Sequence, residues 1–341
     1  MKKIRTQDAV GQVLCHDMTQ IIKGVTKDAR FRKGHIVTEE DIPVLLSMGK
    51  DYIYIWEKQA GMLHENDGAR ILCGLCKNDH MNESSVKEGK IELSADCDGL
   101  FEIDVERLDE INALDEIMIA ARGNHTPVQK GDKLAGMRVI PLVISEEKMN
   151  EARRIAGERP LMRVLPYHKK RCGIVTTGNE VFFGRIKDTF SPVVAQKLEA
   201  FGGEIMGVTL CGDEPEGITA AIRAFFADGA DLVVCTGGMS VDPDDRTPAA
   251  IRATGAEIVS YGAPVLPGAM FLLAYLDGKP VMGLPGCVMY AKRTIFDLVL
   301  PRVMADSPVT KRDLARLGNG GLCLGCEPCH FPNCGFGRGG V

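Results

Sequence analysis

Residues 235–245, with the sequence CTGGMSVDPDD, combine glycines, a hydroxyl group and three carboxylates within one short segment. Gly237 and Gly238 would allow the backbone to approach a phosphate closely, and Ser240 would add a hydroxyl donor. The three aspartates, which include Asp245, could hold Mg²⁺ beside that phosphate. An aspartate-rich loop that only caps the following helix is the alternative interpretation.

Three shorter motifs have a similar character, because each places glycine beside small or acidic residues after an apolar segment. They are residues 176–180 (TTGNE), residues 212–215 (GDEP) and residues 283–287 (GLPGC). Backbone N–H groups in such turns can face an anion or a ring. A plain turn is the alternative for the first motif, and a helix N-cap is the alternative for Asp213 in the second.

These motifs follow strand candidates, which alternate with helix candidates through the second half of the chain. Apolar runs predict strands at 172–176, 204–210, 231–235, 257–260, 270–276 and 281–284. The segments between them predict helices at 191–201, 215–228, 248–253 and 288–303. This alternation is typical of a three-layer α/β fold with an open, mostly parallel sheet. Ligands of such sheets bind at the carboxyl ends of the strands, where the motifs lie.

The first half of the chain has a different pattern. Residues 30–56 predict a strand, a helix that begins near Thr38 and ends at Gly49, and a second strand. Residues 61–90 show no clear period, so their structure stays open. Short strand candidates separated by turns up to Ser145, with one helix near 105–111, predict a β-rich region. A charged helix over 146–159 would connect this region to the α/β domain.

The pattern as a whole predicts four segments. They are a β-α-β segment at 1–60, a β-rich subdomain at 61–150, the α/β domain at 168–305, and a linker with a cysteine-rich tail at 306–341.

Composition excludes several classes of protein. Apolar residues make up 45% and charged residues 26%, as in an average globular protein. The net charge of −5 provides no basic field for nucleic acid. The N-terminus lacks the apolar segment of a secretory signal, and no apolar run approaches the roughly 20 residues of a membrane helix. We therefore expect a cytoplasmic protein without a nucleic-acid or membrane partner.

Four of the twelve cysteines lie in the last 19 residues of the chain, at Cys323, Cys326, Cys329 and Cys334. This spacing is short enough for one zinc ion or one iron–sulfur cluster, and the choice between the two stays open. Chance clustering of inert thiols is the alternative. Because the surrounding residues offer almost no apolar side chains, we expect the tail to gain its structure from the metal.

Taken together and in this order, the motifs resemble the molybdopterin-binding domain shared by molybdopterin adenylyltransferases and molybdopterin molybdenumtransferases. The matching positions are residues 177–180, Asp213, residues 237–245 and residues 284–287. Residues 33–49 are also similar to a segment of the molybdenumtransferase N-terminal region. That similarity favours the transferase branch of the family.

The resemblance implies that a molybdopterin, which could be adenylated, lies over the strand ends. It assigns contacts with the pterin to Thr177, Gly178, Glu180, Gly237, Gly238, Ser240, Pro285 and Gly286. Asp213 and Asp245 would be the catalytic carboxylates, because they would bind Mg²⁺ and orient the phosphoryl group while molybdate is inserted as a substrate.

Four positions depart from the family pattern, namely Asn179, Phe190, Ala269 and Cys287. They favour an alternative in which the protein binds a molybdenum cofactor without catalysis and delivers it to a partner molybdoenzyme. A third alternative is hydrolysis of another nucleotide pyrophosphate, since related domains occur in competence-and-damage-inducible proteins. A homo-oligomer is also compatible with the sequence.

Overall fold

The structure, a computed structural model, describes residues 2–22, 24–55 and 60–339. The chain divides into two compact units, and each unit is built from three separate stretches of the sequence. The first unit is built from residues within Met1–Ser94, Asp104–Ala121 and Lys133–Met162. The second is built from residues within Ala95–Ile103, Arg122–Asp132 and Arg163–Val341.

Short strands dominate the first half of the described chain. The strands are β1 (Lys2–Arg5), β2 (Met18–Ile22), β3 (Thr26–Phe31), β4 (Tyr52–Ile55), β5 (Met62–His64), β6 (Met81–Glu83), β7 (Lys90–Ala95), β8 (Gly99–Ile103), β9 (Ile117–Ala121), β10 (Thr126–Val128), β11 (Lys133–Val139), β12 (Val143–Ser145) and β13 (Met162–Pro166). The helices are α1 (Asp41–Ser47), α2 (Glu65–Cys76), α3 (Val105–Asn112) and α4 (Glu146–Ala156), with a 3₁₀ turn at Thr6–Asp8.

The strands of this half form small sheets, so the predicted β-rich region is confirmed. One sheet has the order β6-β7-β11-β9, one has the order β10-β8-β13, and the pairs β1-β4, β2-β3 and β12-β5 are separate. The predicted helix after Thr38 begins at Asp41, whose carboxylate accepts hydrogen bonds from the Thr38 N–H (2.8 Å) and hydroxyl (2.9 Å). Leu45 of α1 and Ile53 of β4 lie in one buried cluster.

The second half contains a six-stranded sheet with its helices. The strands are β14 (Lys170–Thr177), β15 (Gly203–Cys211), β16 (Leu232–Thr236), β17 (Glu257–Tyr261), β18 (Leu272–Leu276) and β19 (Lys279–Leu284). The helices are α5 (Asn179–Phe182), α6 (Ser191–Glu199), α7 (Pro215–Ala227), α8 (Thr247–Ala253), α9 (Ile295–Met304) and α10 (Lys311–Arg316), and a 3₁₀ turn covers Gly286–Met289.

The order of this sheet is β15-β14-β16-β19-β18-β17. The first four strands are parallel, whereas β18 pairs antiparallel with both of its neighbours. Successive residues of a strand face opposite sides, so Ile174 lies in one core cluster and Val175 in the other. Helices cover both sides, which confirms the three-layer, mostly parallel α/β fold. No helix of the described ranges is long and apolar enough to cross a membrane.

One predicted helix, over residues 288–303, is wrong because the chain breaks within it. The 3₁₀ turn ends at Met289, and α9 begins only at Ile295. Thr294 and Asp297 form a capping box, in which the Asp297 carboxylate accepts the Thr294 N–H at 2.8 Å. This reciprocal capping satisfies N–H groups that a continuous helix would have bonded internally, and it starts a new helix at that point.

Candidate functional site

The carboxyl ends of four parallel strands bring the predicted motifs to one edge of the sheet. Because β14, β15, β16 and β19 run in the same direction, the segments that follow them leave the sheet on the same side. We call this side the ligand edge. It carries residues 178–180, 212–213, 237–245 and 285–286.

Gly237 and Gly238 follow β16 and pack closely on the end of β14. Both have positive φ, +84° and +56°. A Cβ on Gly237 would lie 2.8 Å from the Thr177 hydroxyl oxygen and closer still to the Thr177 carbonyl oxygen. A Cβ on Gly238 would lie 2.8 Å from the Thr247 hydroxyl oxygen. Only glycine therefore fits both positions without strain.

The Thr177 hydroxyl group holds this turn in place. It donates a hydrogen bond of 3.1 Å to the Thr236 carbonyl oxygen and lies 3.1 Å from the Thr247 hydroxyl oxygen. Thr247 in turn donates to the Gly237 carbonyl oxygen at 2.9 Å. Both threonine side chains are buried. The two strand ends and the start of α8 are thereby fixed to one another.

The backbone beyond this turn offers free donors. Within the described part of the chain, the N–H groups of Gly238, Met239 and Ser240 donate no hydrogen bond. Consecutive residues with positive φ followed by unbonded N–H groups form a concave arrangement that suits an anion. The phosphate interpretation of residues 237–240 therefore has a geometric basis, whereas a loop that only caps α8 would leave these groups unexplained. The Ser240 side chain is exposed.

A second chain of hydroxyl groups, which the sequence analysis missed, lies beneath the first strand end. The Thr236 hydroxyl donates to Thr176 at 3.2 Å, and Thr176 lies 2.7 Å from the Ser191 hydroxyl oxygen. Ser191 donates to the Asp188 carboxylate, which also accepts the Phe190 N–H at 2.8 Å. An acidic residue three positions before a serine at a helix start was the available signal.

Asp213 and Asn179 bind each other reciprocally. The Asn179 N–H donates to Asp213 Oδ2 at 3.2 Å, and the Asp213 N–H donates to Asn179 Oδ1 at 3.4 Å. The N-cap residue of α7 is Glu214, so the alternative interpretation of Asp213 as the N-cap is wrong. Asp213 instead joins the segment after β15 to the segment after β14.

Asp245 lies on the loop between β16 and α8, beside a residue that the sequence analysis did not single out. Its Oδ2 atom accepts the Asp242 N–H at 2.9 Å. Burial and the charge of Asp245 raise the pKa of Tyr261, at the end of β17. The Tyr261 hydroxyl donates to the carbonyl oxygens of Met239 (2.9 Å) and Ser240 (3.2 Å). Tyr261 therefore supports the loop that carries the free N–H groups.

The remaining predicted pterin contacts are also on the ligand edge. Gly178 has a φ of +135°, and a Cβ there would lie 2.9 Å from the Glu180 carboxylate oxygens. Glu180 is exposed, Pro285 is buried, and Gly286 is exposed at the start of the 3₁₀ turn.

The four departures from the family pattern have different surroundings. Asn179 pairs with Asp213 as described, and Phe190 is buried in the core cluster beside α6. Ala269 is exposed on the loop between β17 and β18. Cys287 is half-buried, and burial raises the pKa of its thiol. Phe190 thus contributes to packing, whereas the other three lie on the side of the ligand edge, in α5, in the loop between β17 and β18, and in the 3₁₀ turn.

The carboxylates of the ligand edge do not form a ready metal site by themselves. Among the described residues, no group of three or more His, Cys, Asp or Glu side chains is arranged to hold a metal ion. Asp213 and Asp245 each have one oxygen bonded to a backbone N–H. Mg²⁺ is commonly held by one or two carboxylates together with substrate phosphates. Each of these two residues keeps a second carboxylate oxygen, Oδ1, that accepts no hydrogen bond in the described structure.

The C-terminal tail, defined here as residues 320–339, is packed against the core of the second unit, to which it belongs. Phe336 is 5% exposed within the core cluster, and Phe331, Cys323 and Cys334 pack against the same cluster. Cys326 and Cys329 are exposed. The expectation that the tail lacks apolar side chains to order it is therefore wrong. The four thiols are not gathered at one point of the described tail.

Comparison with known families matches two parts of the chain. Residues 173–305 match the probable molybdopterin binding domain, and residues 3–57 match a domain of unknown function (DUF8806). The resemblance inferred from the motifs is therefore confirmed for the segment that forms the six-stranded sheet.

Curated relatives match a shorter part of the chain. A CinA-like protein of Mycobacterium sp. (strain MCS) is 42% identical over 90 residues, which cover 26% of this chain and 21% of the relative. A CinA-like protein of Mycobacterium tuberculosis (strain CDC 1551 / Oshkosh) is 41% identical over 90 residues, with the same coverage. The aligned part of the chain thus spans about a fifth of the length of these relatives.

Two solved structures are similar to this chain over most of their own length. The molybdopterin biosynthesis enzyme MoaB from Thermus thermophilus has a TM-score of 0.33 and 23% identity, covering 39% of this chain and 91% of that one. The protein CinA from Thermoplasma acidophilum has a TM-score of 0.35 and 20% identity, covering 40% of this chain and 98% of that one.

Proposed function

We propose that this chain, whose residues 173–305 carry a molybdopterin-binding domain, binds a molybdopterin at its ligand edge and acts in the synthesis of the molybdenum cofactor. The observation that carries the proposal is the set of free N–H groups at Gly238, Met239 and Ser240. A molybdopterin has a terminal phosphate, and these donors suit a phosphate.

In the proposed complex, the phosphate lies against residues 238–240, and the Ser240 hydroxyl adds a further donor. Thr177 and Thr247 do not need to touch the ligand, because their hydroxyl groups already hold the turn. Gly178, Glu180, Pro285 and Gly286 lie on the neighbouring loops and would contact the pterin ring. The buried threonines therefore position the donors, and the residues of the neighbouring segments make the contacts.

The finer proposal is a molybdenumtransferase activity on adenylated molybdopterin. Asp213 and Asp245 would hold Mg²⁺ together with phosphate oxygens of the substrate, and each keeps its geometry through a backbone N–H. Bound Mg²⁺ neutralises charge on a phosphoryl group. The two carboxylates orient the phosphoryl group for cleavage, and molybdate enters as the second substrate.

The test uses the full chain with adenylated molybdopterin, Mg²⁺ and molybdate, and it measures release of AMP. We expect release by the wild-type chain and by the control Asp228→Asn, because Asp228 is exposed at the end of α7, outside the ligand edge. We expect Asp245→Asn to lose release while its melting temperature stays within a few degrees of wild type. AMP release by folded Asp245→Asn at the wild-type rate would refute the role of this carboxylate.

A second candidate is a protein that holds the mature cofactor and delivers it to a molybdoenzyme. The reciprocal Asn179–Asp213 pair favours it, because Asn179 supplies an amide where the family pattern has a carboxylate. This candidate predicts a pterin that co-purifies with the chain, identified by mass spectrometry, without AMP release from the adenylated form.

Hydrolysis of a nucleotide pyrophosphate is the third candidate, since the free N–H groups of Gly238, Met239 and Ser240 suit the phosphate of a nucleotide as well as that of a pterin. It shares the phosphate contacts but does not need molybdate. The same assay separates it from the transferase, since release of a nucleotide monophosphate would then be independent of molybdate and would extend to nucleotide pyrophosphates without a pterin.

A further inference from the structure

We propose that Cys323, Cys326, Cys329 and Cys334 form a tetrathiolate metal centre, and that this centre restrains two loops of the ligand edge. The metal centre itself is independent of the proposed function. Only its effect on pterin binding rests on that function.

Both ends of the cysteine-bearing segment are attached to the second unit at neighbouring points. The Leu266 N–H donates to Gly321 O at 2.8 Å, and the Cys323 N–H donates to Leu266 O at 2.8 Å. At the other end, the Gly337 N–H donates to Gly320 O at 2.9 Å. The segment is therefore a closed loop. Its first and last thiols, Cys323 and Cys334, are half-buried against one core cluster.

The middle of the loop is weakly attached, so it can change conformation. In the described structure, residues 324–330, which precede the core-packed Phe331, form no helix or strand, and their backbone N–H groups donate no hydrogen bond. The Lys292–Glu327 ion pair (2.6 Å) is mostly exposed. Exposed pairs of this kind contribute little stability. The thiols of Cys326 and Cys329 can therefore move to join a metal without loss of buried contacts.

Two arginines provide the charge that such a centre needs. Four thiolates around a divalent ion carry a formal charge of 4 × (−1) + 2 = −2, which is costly next to a protein core unless cations lie nearby. Arg293 stacks on the ring of Phe331, two residues after Cys329, at 4.8 Å. Its Nε atom is buried without a hydrogen-bond partner among the described residues. Arg338 donates a hydrogen bond to the carbonyl oxygen of Pro332, two residues before Cys334.

The same contacts connect the tail to the ligand edge. Leu266 lies on the loop between β17 and β18, the loop that also contains Ala269. Lys292 and Arg293 lie between the 3₁₀ turn at Gly286–Met289 and α9. A metal that fixes Cys326 and Cys329 would hold the neighbouring Phe331 against Arg293 and leave both loops less mobile.

The first experiment measures the metal content of the full chain, purified under reducing conditions without chelator. We expect about one equivalent of zinc, or iron with acid-labile sulfide and visible absorbance, in the wild type and in the control variant Cys97→Ser. Cys97 is a half-buried thiol of the second unit outside the tail. We expect Cys326→Ser and Cys329→Ser to lose most of this metal, because three thiolates bind less tightly than four.

Two results would overturn the metal centre. One is equal metal content in the tail variants and the wild type. The other is a wild-type chain that stays without metal after anaerobic incubation with Zn²⁺ and, separately, with Fe²⁺ and sulfide. Point variants are needed because truncation of the tail would remove Phe336 from the core.

The second experiment measures hydrogen exchange in residues 262–271 and 286–294, with and without metal and without any pterin. We expect slower exchange in the metal-loaded wild type and no change in Cys326→Ser. Identical exchange with and without metal would overturn the restraint on the loops. Because no pterin is present, this outcome is independent of whether the proposed function is correct.

Discussion

Replacing Gly237 by alanine tests the phosphate site through a single added methyl group. Gly237 has a φ of +84°, and the new Cβ would lie 2.8 Å from the Thr177 hydroxyl oxygen. The left-handed conformation alone costs a residue with a side chain about 1–2 kcal/mol. Crowding of a well-packed site adds roughly 1–3 kcal/mol. The free energy of unfolding should therefore fall by about 2–5 kcal/mol.

The chain contains a matched control at Gly255, which follows α8 outside the ligand edge. Its φ is +86°, but a Cβ there would meet nothing within 4 Å. Gly255→Ala should therefore carry only the conformational cost of about 1–2 kcal/mol. The difference between the two variants isolates the contact between Gly237 and Thr177.

Thermal unfolding and pterin retention are measured on both variants. A domain of this size loses about 2–4 °C of melting temperature per kcal/mol. In Gly237→Ala the turn must move away from Thr177, so the N–H groups after it no longer face the phosphate together. Loss of one or two charge-assisted hydrogen bonds should weaken pterin binding by about tenfold to a hundredfold. Equal pterin binding by the two alanine variants would refute the assignment of this turn to the phosphate.

Two further substitutions test the charges of the second unit. Asn179→Asp places a second carboxylate beside Asp213, so we expect its melting temperature without metal to be lower than that of the wild type. Adding Mg²⁺ should raise the melting temperature of this variant more than that of the wild type, as measured by calorimetry, and an equal rise would contradict this. Burial and the Arg302 charge lower the pKa of His125 from 6.5 to about 4, so the unfolded chain binds the proton more readily and stability should fall as the pH drops from 6.5 towards 4. His125→Asn, which tolerates the φ of +55°, should reduce this fall in urea denaturation, and an unchanged pH profile would contradict it.

The strands of the six-stranded sheet could be predicted because their burial is visible in the sequence. The run at 231–235 became β16 at Leu232–Thr236, and the run at 281–284 became the end of β19. Both strands are covered on two sides, so almost every residue is apolar and no alternation has to be detected. The position of the ligand edge then follows from strand direction.

Elements that depend on single local interactions could not be predicted in the same way. The break before α9 comes from one capping box at Thr294, within a segment whose composition is compatible with a continuous helix. The tail is held in place by Phe331 and Phe336, which pack on the core. They lie among glycines, prolines and cysteines without a periodic pattern that would predict this packing. Helix α2 is different, because its buried Ala69, Leu72, Cys73 and Cys76 follow helical spacing that was present in the sequence.

Contacts between distant segments account for what was missed in the site. The motifs indicated which loops the proposed ligand would contact, but Tyr261 supports residues 239–240 from a strand that carries no motif. The chain from Asp188 through Ser191 to Thr176 joins a helix start to two strands, and it exists only after the sheet has formed. Spacing within one segment contains no information on such partners.

The buried hydroxyl groups and the more accessible side chains of the ligand edge should respond differently to substitution. Thr177 and Thr247 are buried, whereas Asp245 is half-buried on a loop and Ser240 is exposed. A substitution at a buried threonine removes a hydrogen bond that fixes two strand ends, so stability and ligand binding should decline together. A substitution at Asp245 leaves those hydrogen bonds in place, so it should alter the chemical step at nearly constant stability. Comparing the loss of stability with the loss of activity in each variant therefore distinguishes a residue that positions the donors from one that acts on the substrate.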